Sequence, residues 1–182
     1  MQIKFVPTYT SHLMRYVFAL EHCYKKNVID LGCKDGYCSI LLSYAAYKLD
    51  LVDIDKRFLD TARSLKYISP VEFHQIDLEK DFPEGKWQVA VAFEVIEHLE
   101  NPEFFIKNIA EHLEDGGKLI FSVPHMVANI QHKVLFDEEK IKSLISKYFK
   151  IEEFYIQDKK IFSNKPMYKG LKCYLGTAIK IK

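Results

Sequence analysis

The chain has few of the residues that build covalent or metal frameworks, and it has no long apolar stretch. Its four cysteines, at positions 23, 33, 38 and 173, form no Cys-x-x-Cys pair, so neither a zinc ribbon nor a disulfide scaffold is predicted. No apolar run approaches the roughly 20 residues that a membrane-spanning helix needs, and no secretory segment is recognisable. These absences predict a cytoplasmic protein with reduced thiols and no membrane span.

An excess of charge of one sign is missing as well. The 26 Lys and Arg residues nearly balance the 25 Asp and Glu residues, for a formal net charge of +1. Nucleic-acid-binding proteins usually carry a stronger positive excess, so a nucleic-acid partner is disfavoured. With 182 residues, 48% of them hydrophobic, the chain is predicted to form a single domain over residues 1–182. An oligomer remains compatible with this composition.

Short apolar runs alternate with amphipathic stretches, which is typical of a doubly wound α/β fold. Helices are predicted at 9–23, 36–47, 56–66, 95–114 and 137–148, and strands at 27–31, 49–53, 71–75, 87–93, 117–123, 150–157 and 171–181. Continuously apolar strands indicate a sheet covered on both faces. The last two strands have no helix between them and predict an antiparallel hairpin with a loop at 158–170. The expected fold is one seven-stranded, mostly parallel sheet, with an N-terminal helix within 1–25 covering the site.

The turn after the first strand carries most of the functional information. The segment Val28–Ser39 leads from the strand through Asp30, Gly32 and Gly36 into a helix. Glycines allow a tight turn and a close approach of a ligand to the backbone, and the helix start adds unpaired N–H groups. Asp53, at the tip of the second strand, is placed to accept hydrogen bonds from both hydroxyls of a ribose. The combination favours a cofactor that contains adenosine.

The spacing of the glycines in this turn distinguishes between a dinucleotide and other cofactors that contain adenosine. A dinucleotide fingerprint requires glycines at 32, 34 and 37, but the chain has Gly32, Lys34 and Tyr37. By contrast, Asp30-x-Gly32-x-Lys34-x-Gly36 resembles the first motif of class I S-adenosylmethionine-dependent methyltransferases, acid-x-Gly-x-Gly-x-Gly. Lys34 is the departure from that motif, and its ammonium is expected to face either solvent or the cofactor carboxylate.

Two further strings extend the resemblance from about Arg15 to Phe154. Phe93–Pro102, with its Glu-Val-Ile-Glu-His-Leu core, and Leu113–Pro124 are similar in order and spacing to the small-molecule (sugar and metabolite) branch of this family. The resemblance implies a Rossmann-like methyltransferase fold and S-adenosylmethionine as the cofactor. It also implies methyl transfer to oxygen or nitrogen of a small molecule such as a sugar, a nucleotide or a natural-product intermediate.

The resemblance assigns cofactor contacts residue by residue. The positions that match them are Asp30, Gly32, Cys33, Gly36, Asp53, Ile54, Asp77, Leu78, Phe93 and Glu94. Lys34, which departs from the motif, is included as a cofactor contact because it lies in the same loop. The loop members correspond to the methionine pocket, Asp53 to the ribose acid, and Asp77 to the acceptor of the adenine amino group. For Asp77, a plain turn-forming role is the alternative.

Catalytic groups are expected beside the fourth strand. Methyl transfer from a sulfonium is an in-line displacement, so positioning supplies much of the acceleration and a base is needed only for protonated acceptors. His98 and His132 are the predicted bases, although His98 could instead pack over the cofactor. Glu94, Glu97 and His98 would share one helix face and, with His132, could ligate a metal, as in the similar string of small-RNA 3′-end 2′-O-methyltransferases. The preferred prediction is a site without metal.

The walls of the acceptor site are predicted from charge. The N-terminal helix is expected to contribute His12, Arg15 and Tyr16, with Arg15 pairing with a carboxylate. The lysines of the 158–170 loop motivate the hypothesis of an anionic or phosphorylated acceptor; they are Lys159, Lys160, Lys165 and Lys169. Two alternatives stay open: metal-assisted 2′-O-methylation of an RNA 3′ end, and a cofactor-binding subunit that is inactive without a partner.

Overall fold

The computed structural model describes residues 7–126, 130–158, 161–163 and 172–181. The helices are α1 Pro7–Cys23, α2 Ser39–Ala45, α3 Lys56–Arg63, α4 Pro102–His112 and α5 Glu138–Ile145, with a 3-10 turn at Ile96–His98. The strands are β1 Asn27–Leu31, β2 Lys48–Asp53, β3 Val71–Gln75, β4 Trp87–Phe93, β5 Leu113–Pro124, β6 Phe149–Asp158, β7 Ile161–Ser163 and β8 Lys172–Lys180.

The described strands form one sheet in the order β3-β2-β1-β4-β5-β8-β6-β7. Strands β1 to β5 pair in parallel, and β8 runs antiparallel between β5 and β6. The predicted seven-stranded, mostly parallel sheet with an antiparallel C-terminal edge is confirmed. The short β7 pairs with β6 inside the segment predicted as a loop, and it extends that edge. The four lysines of that loop lie outside the described residues.

Apolar side chains cover the two faces of the sheet alternately, as the period of a strand requires. On one face, Ala90 and Phe121 pack with residues of α4 and α5 such as Ile106 and Ile145. On the other, strand residues such as Val91 pack with α1, α2 and α3 through Ala19, Leu42 and Leu59, among others. Both layers leave the carboxyl ends of the parallel strands for loops, and the connections from β1 and β4 leave this edge in opposite directions. That switch between neighbouring strands is where open α/β sheets bind ligands.

Among the described residues, no helix combines the length and the apolar character that crossing a lipid bilayer would require.

Two predicted helices differ from the observed ones for local reasons. The helix expected at 36–47 begins at Ser39, because Gly36 adopts a left-handed φ of +74° that no α-helix contains. The helix expected at 95–114 is a 3-10 turn followed by α4, which begins at Pro102 with Asn101 as its N-cap. Proline lacks the N–H that a helix interior needs and restricts the preceding residue, so it starts the helix instead.

The end of that predicted helix also differs. Residues from Leu113 onward already belong to β5, where Leu113 pairs with Trp87. Leu113 is buried, so its side chain gains more from the sheet than from another helical turn.

Candidate active site

Two glycines shape the turn after β1. Gly32 has a φ of +76° and Gly36 a φ of +74°, in the left-handed region that other residues avoid. A Cβ on Gly32 would collide with the Cγ2 atom of Val95, and one on Gly36 would lie 2.8 Å from the Cβ atom of Ala62. The turn therefore runs so close to the end of β4 and to α3 that both positions require glycine.

Backbone hydrogen bonds fix this turn against the tip of β2. The amides of Gly32 and Cys33 donate to the carbonyl of Val52 at 2.8 and 2.9 Å. The Lys34 amide donates to Oδ2 of Asp53 at 2.8 Å, and the Asp55 amide donates to Oδ1 at 2.8 Å. The Asp53 carboxylate is thereby held beside the glycine turn, as the prediction of a ribose acid requires.

Asp30 is completely buried beneath the turn. Its Oδ2 accepts hydrogen bonds from Ser39 Oγ at 2.6 Å and from Tyr16 Oη at 3.2 Å. Burial raises the pKa of Asp30 to about 7, although both hydrogen bonds favour the charged form. The carboxyl group joins α1 and α2 to β1, so the structure gives it a positioning role. Its contact with a cofactor stays a prediction.

Other predicted cofactor residues differ in exposure. Cys33 is buried, whereas Ile54 is 61% exposed beside Asp53, as expected of an apolar wall for adenine. Lys34 adopts a φ of +54°, and its Nζ lies 5.7 Å from the centre of the Phe58 ring on α3. The ammonium therefore stands over an aromatic face of the protein.

Asp77 caps a turn after β3. Its Oδ2 accepts a hydrogen bond from Lys80 Nζ at 2.6 Å, and its Oδ1 accepts one from the Glu79 amide at 3.1 Å. The hydrogen bond from Lys80 lowers the pKa of this carboxyl. Leu78, the next residue, is buried in the core. The turn-forming alternative thus has direct support, and the adenine contact remains a prediction.

Glu94 lies just past β4, where the methyl group of the cofactor is expected. It has a φ of +56°, a conformation that is uncommon for residues other than glycine and that clusters at functional sites. Its Oε1 accepts hydrogen bonds from Ser122 Oγ at 3.0 Å and from Cys173 Sγ at 3.1 Å. Arg15 Nη1 lies 3.3 Å from the same oxygen, which confirms that Arg15 pairs with a carboxylate.

The Arg15 pair is part of a buried network that ties α1 to the strand ends. Arg15 Nε donates to Gln157 Oε1 at 2.6 Å, and Gln157 Nε2 donates to the Ser11 carbonyl at 2.9 Å. The Tyr16 ring packs edge-on against Phe93 at 5.1 Å between centroids. The helix therefore lies over the carboxyl ends of β1 and β4.

Sequence reasoning missed Gln157, Ser122 and Cys173 as members of this network. The available clue was a polar residue within an apolar strand, as for Ser122 between Phe121 and Val123. His12 stands next to the network, and burial, followed by the charge of Arg15, lowers its pKa. The partly buried imidazole of His12 therefore gives up its proton more readily than one in solvent.

A second polar group lies after β4, where the segment 96–98 meets the segment 131–134. The amides of Lys133 and Val134 donate to the Glu97 carbonyl at 2.8 and 3.2 Å, which joins the two segments. Ligand atoms of Glu97, His98 and His132, one from each residue, all lie within 4.8 Å of one another. The group can hold a metal, and Glu94 is not part of it.

The acid of this group is buried almost completely. The Glu97 side chain is 1% exposed, and within the part of the chain that the structure describes neither of its oxygens has a hydrogen-bond partner. Burial, followed by the charge of Glu94, raises the pKa of Glu97 to about 8. The predicted helical face bearing Glu94, Glu97 and His98 is not formed, because the backbone turns at Glu94 and continues as a 3-10 turn.

Comparisons with known proteins agree with this geometry. The profile of a family described as a methyltransferase domain matches residues 5–148. A probable S-adenosylmethionine-dependent methyltransferase of Mycobacterium tuberculosis is 31% identical over 120 residues, which cover 65% of this chain and 43% of that protein. The ubiquinone biosynthesis O-methyltransferase of Idiomarina loihiensis is 27% identical over 126 residues, covering 65% of this chain and 52% of that protein.

A solved structure shares the fold across nearly the whole chain. The N-methyltransferase NodS of Bradyrhizobium japonicum, in complex with S-adenosyl-L-homocysteine, superposes with a TM-score of 0.75 at 16% identity and covers 99% of this chain and 90% of that one. The chain spans only about half the length of the curated relatives it matches. Because the family profile covers most of the chain, the chain belongs to the methyltransferase domain family.

Proposed function

We propose that this protein binds S-adenosylmethionine at the carboxyl edge of its sheet and transfers the methyl group to oxygen or nitrogen of a small molecule. One observation carries the proposal: the left-handed turn at Gly32 and Gly36 holds its amides beside the Asp53 carboxylate, in a chain of the methyltransferase family. The Mycobacterium tuberculosis relative, named as S-adenosylmethionine-dependent, supports this cofactor.

In this proposal the chain places the cofactor by three features. The glycine turn allows the methionine part to approach the backbone closely. Each oxygen of Asp53 accepts a hydrogen bond from a backbone amide, and a carboxylate oxygen can accept a second, from a ribose hydroxyl. Ile54 offers an exposed apolar surface to the adenine. Phe93 and Glu94 then border the methyl group at the end of β4.

The class of acceptor is proposed from one named relative and from the charge of one loop. The Idiomarina relative, an O-methyltransferase by name, supports an oxygen acceptor. A negative charge on the acceptor is proposed from the lysines of the 158–170 loop, which lie outside the described residues. The proposed small-molecule acceptor is a sugar, a nucleotide or a natural-product intermediate.

Removal of a proton from the acceptor is assigned to His98 or His132. Their rings lie 5.0 Å apart and nearly perpendicular to each other. His98 is 38% exposed, so a solvent-borne acceptor can reach it. Transfer to an acceptor that carries a lone pair needs no such base, since the cofactor supplies an activated methyl group.

The two alternative functions differ in their demands. An RNA substrate would require a basic surface, whereas the net charge is only +1. A subunit that binds the cofactor but needs a partner for turnover is compatible with the present site. The cytoplasmic location stays a prediction.

A transfer assay tests the proposal. The protein is incubated with methyl-labelled S-adenosylmethionine and a panel of hydroxyl, phenol, amine and phosphorylated acceptors, and labelled product is measured. We expect turnover with at least one acceptor, abolished by Asp53→Ala and retained by Asp55→Ala, whose carboxylate caps α3 instead. Cofactor binding without turnover across the panel would favour the partner-dependent subunit, and absence of binding would refute the proposal.

A further inference from the structure

We propose that Gln157 is a positioning residue of the candidate active site, which keeps the first half of α1 closed over a bound cofactor. The first half is residues 10–16, and the second half is residues 17–23. Because this role concerns the entry and release of the cofactor, it rests on the proposed function. Gln157 lies on β6, beyond the residues 5–148 that match the family profile.

The side-chain amide of Gln157 binds α1 at two points. Gln157 is 1% exposed, its Oε1 accepts a hydrogen bond from Arg15 Nε at 2.6 Å, and its Nε2 donates one to the Ser11 carbonyl at 2.9 Å. The Nε of a guanidinium can only donate and a carbonyl oxygen can only accept, so these two partners fix the orientation of the amide. One side chain of β6 therefore holds both a side chain and the backbone of α1.

The hydrogen bond to Gln157 sets the direction of the Arg15 guanidinium. The Arg15 side chain is 6% exposed, and its Nη1 lies 3.3 Å from Glu94 Oε1. Within the part of the chain that the structure describes, Nη1 has no hydrogen-bond partner, so this ion pair lacks the geometry of a hydrogen bond. The bond from Nε to Gln157 therefore supplies the directional contact that Glu94 does not. Without it, we expect the guanidinium to turn away from Glu94.

The two halves of α1 differ in burial. In the second half, Ala19 and Cys23 are completely buried in the core. In the first half, residues 10–14 are all half-buried or exposed, and only Arg15 and Tyr16 are buried. A segment with few buried apolar contacts opens more readily than the core. The first half can therefore open while the second half stays packed, and the contacts to Gln157 oppose this opening.

The first half of α1 covers the edge of the sheet where the cofactor is proposed to bind. The Tyr16 ring packs against Phe93 at the end of β4, and the Tyr16 hydroxyl donates a hydrogen bond to Asp30 beneath the glycine turn. In many enzymes the release of product waits for such a cover to open. Loss of the Gln157 contacts should therefore speed the release of the demethylated product, S-adenosyl-L-homocysteine.

Binding kinetics of S-adenosyl-L-homocysteine test this role. Surface plasmon resonance on the immobilised full chain measures the association and dissociation rate constants. Gln157→Met should raise the dissociation rate constant at least about tenfold, because it removes two hydrogen bonds, one of them to a charged group. The matched control is Gln88→Met, since Gln88 Oε1 accepts a hydrogen bond from the Asn27 amide at the opposite edge of the sheet. This control should leave the rate constant within about twofold of the wild type.

Hydrogen exchange of the free chain separates local opening from a general loss of stability. Mass spectrometry of the exchanged protein compares the amides of residues 12–16 with those of residues 19–23. In Gln157→Met, the first group should exchange at least about tenfold faster than in the wild type, while the second group keeps its rate. A substitution that only weakened the fold would accelerate both groups together.

Gln157→Glu carries the test if Gln157→Met does not fold. It keeps an acceptor for Arg15 Nε but loses the donor to the Ser11 carbonyl, so the dissociation rate constant should rise at least about threefold. The proposal is overturned if the folded variant releases S-adenosyl-L-homocysteine at the wild-type rate, if Gln88→Met causes the same increase, or if both halves of α1 exchange equally faster.

Failure of the proposed function would give a different result. If the wild-type chain did not bind S-adenosyl-L-homocysteine, the proposed cofactor site would be refuted. Exchange of the free chain would then still decide whether Gln157 holds the first half of α1, because that measurement needs no ligand.

Discussion

Two groups of acidic and histidine side chains, one on strands β2 and β3 and one just after β4, differ in whether their buried carboxylates have hydrogen-bond partners. On β2 and β3, the carboxylates of Asp50 and Glu72 have partners in His74, Trp87 and Lys48. After β4, the Glu97 carboxylate is as deeply buried as Asp50, yet among the described residues it accepts no hydrogen bond. The carboxylates of the first group are bound by their neighbours, whereas the Glu97 carboxylate has no hydrogen-bond partner among the described residues.

The difference also appears in the pKa values of the two buried acids, Asp50 and Glu97. Both residues follow the rule that burial disfavours the charged form, but their pKa values move in opposite directions. Burial also opposes ionisation of Asp50, yet the hydrogen bonds from His74 and Trp87 outweigh it and lower its pKa. Burial raises the pKa of Glu97 to about 8. Binding partners, and not burial alone, therefore distinguish the two groups.

The largest expected effect is on the pH dependence of stability, and it comes from a third buried acid, Asp30. The hydrogen-bond donors to its carboxyl are two neutral hydroxyls. Its pKa rises from an ordinary value of 3.8 to about 7 in the folded chain. The folded state therefore keeps a proton that the unfolded state loses, and stability from this group falls as pH rises between about 4 and 7. The fall is about 4 kcal/mol at most.

Asp30→Asn should remove that decline. Urea unfolding at pH 4.5, 6 and 8 measures the free energy of unfolding of both proteins, and the difference between them isolates Asp30 from other titrating groups. We expect the free energy of unfolding of Asp30→Asn, relative to that of the wild type, to increase as pH rises. Parallel pH profiles would show that burial does not raise the pKa of the Asp30 carboxyl and would contradict this account.

The next largest effect is the difference in the free energy of unfolding between matched substitutions at Asp50 and Glu97, one in each of the two groups. Asp50→Asn removes a charge that is bound by His74 and Trp87, and it should lower the free energy of unfolding by about 1–3 kcal/mol. The Glu97 side chain has no hydrogen-bond partner among the described residues, so Glu97→Gln should lower the free energy of unfolding by less than about 1 kcal/mol. Chemical denaturation in chelator-treated buffer measures both. Equal losses would mean that Glu97 has partners of its own and would remove the contrast.

The smallest effect is expected at Lys34. A left-handed φ costs a residue with a side chain about 1 kcal/mol, and glycine would relieve it while making the unfolded chain more flexible. The Lys34→Gly variant keeps the backbone amide that bonds Asp53, so stability should change by less than about 1 kcal/mol. Calorimetry should show cofactor affinity within about threefold of the wild type. A loss of affinity of tenfold or more would identify the ammonium as a cofactor ligand.

Most of the fold could be predicted because parallel strands are continuously apolar. Strands β1, β3 and β4 have the predicted bounds. The helix predicted directly after β4 is wrong. The helical spacing of Glu94, Glu97 and His98 indicated a helix, but α4 begins only at Pro102. Local spacing alone does not reveal that the backbone turns at Glu94.

Only those parts of the site that are formed by residues close together in the sequence could be predicted. The glycine turn and Asp53 are read directly from neighbouring positions. The network above Glu94 depends on pairs such as Arg15 and Gln157, which are 142 residues apart in sequence. Likewise, the unsatisfied state of Glu97 depends on the packing of segments 96–98 and 131–134, and a single sequence does not specify it.

Calorimetric titration of S-adenosyl-L-homocysteine, the demethylated product, tests the central claim most directly. We predict one site per chain with a dissociation constant on the order of 1–100 μM. Asp53→Ala should weaken binding by at least about tenfold, since it removes the ribose acid, while Asp55→Ala should leave it within about threefold. Failure of the wild-type chain to bind at about 1 mM, or equal binding by Asp53→Ala, would contradict the cofactor site described here.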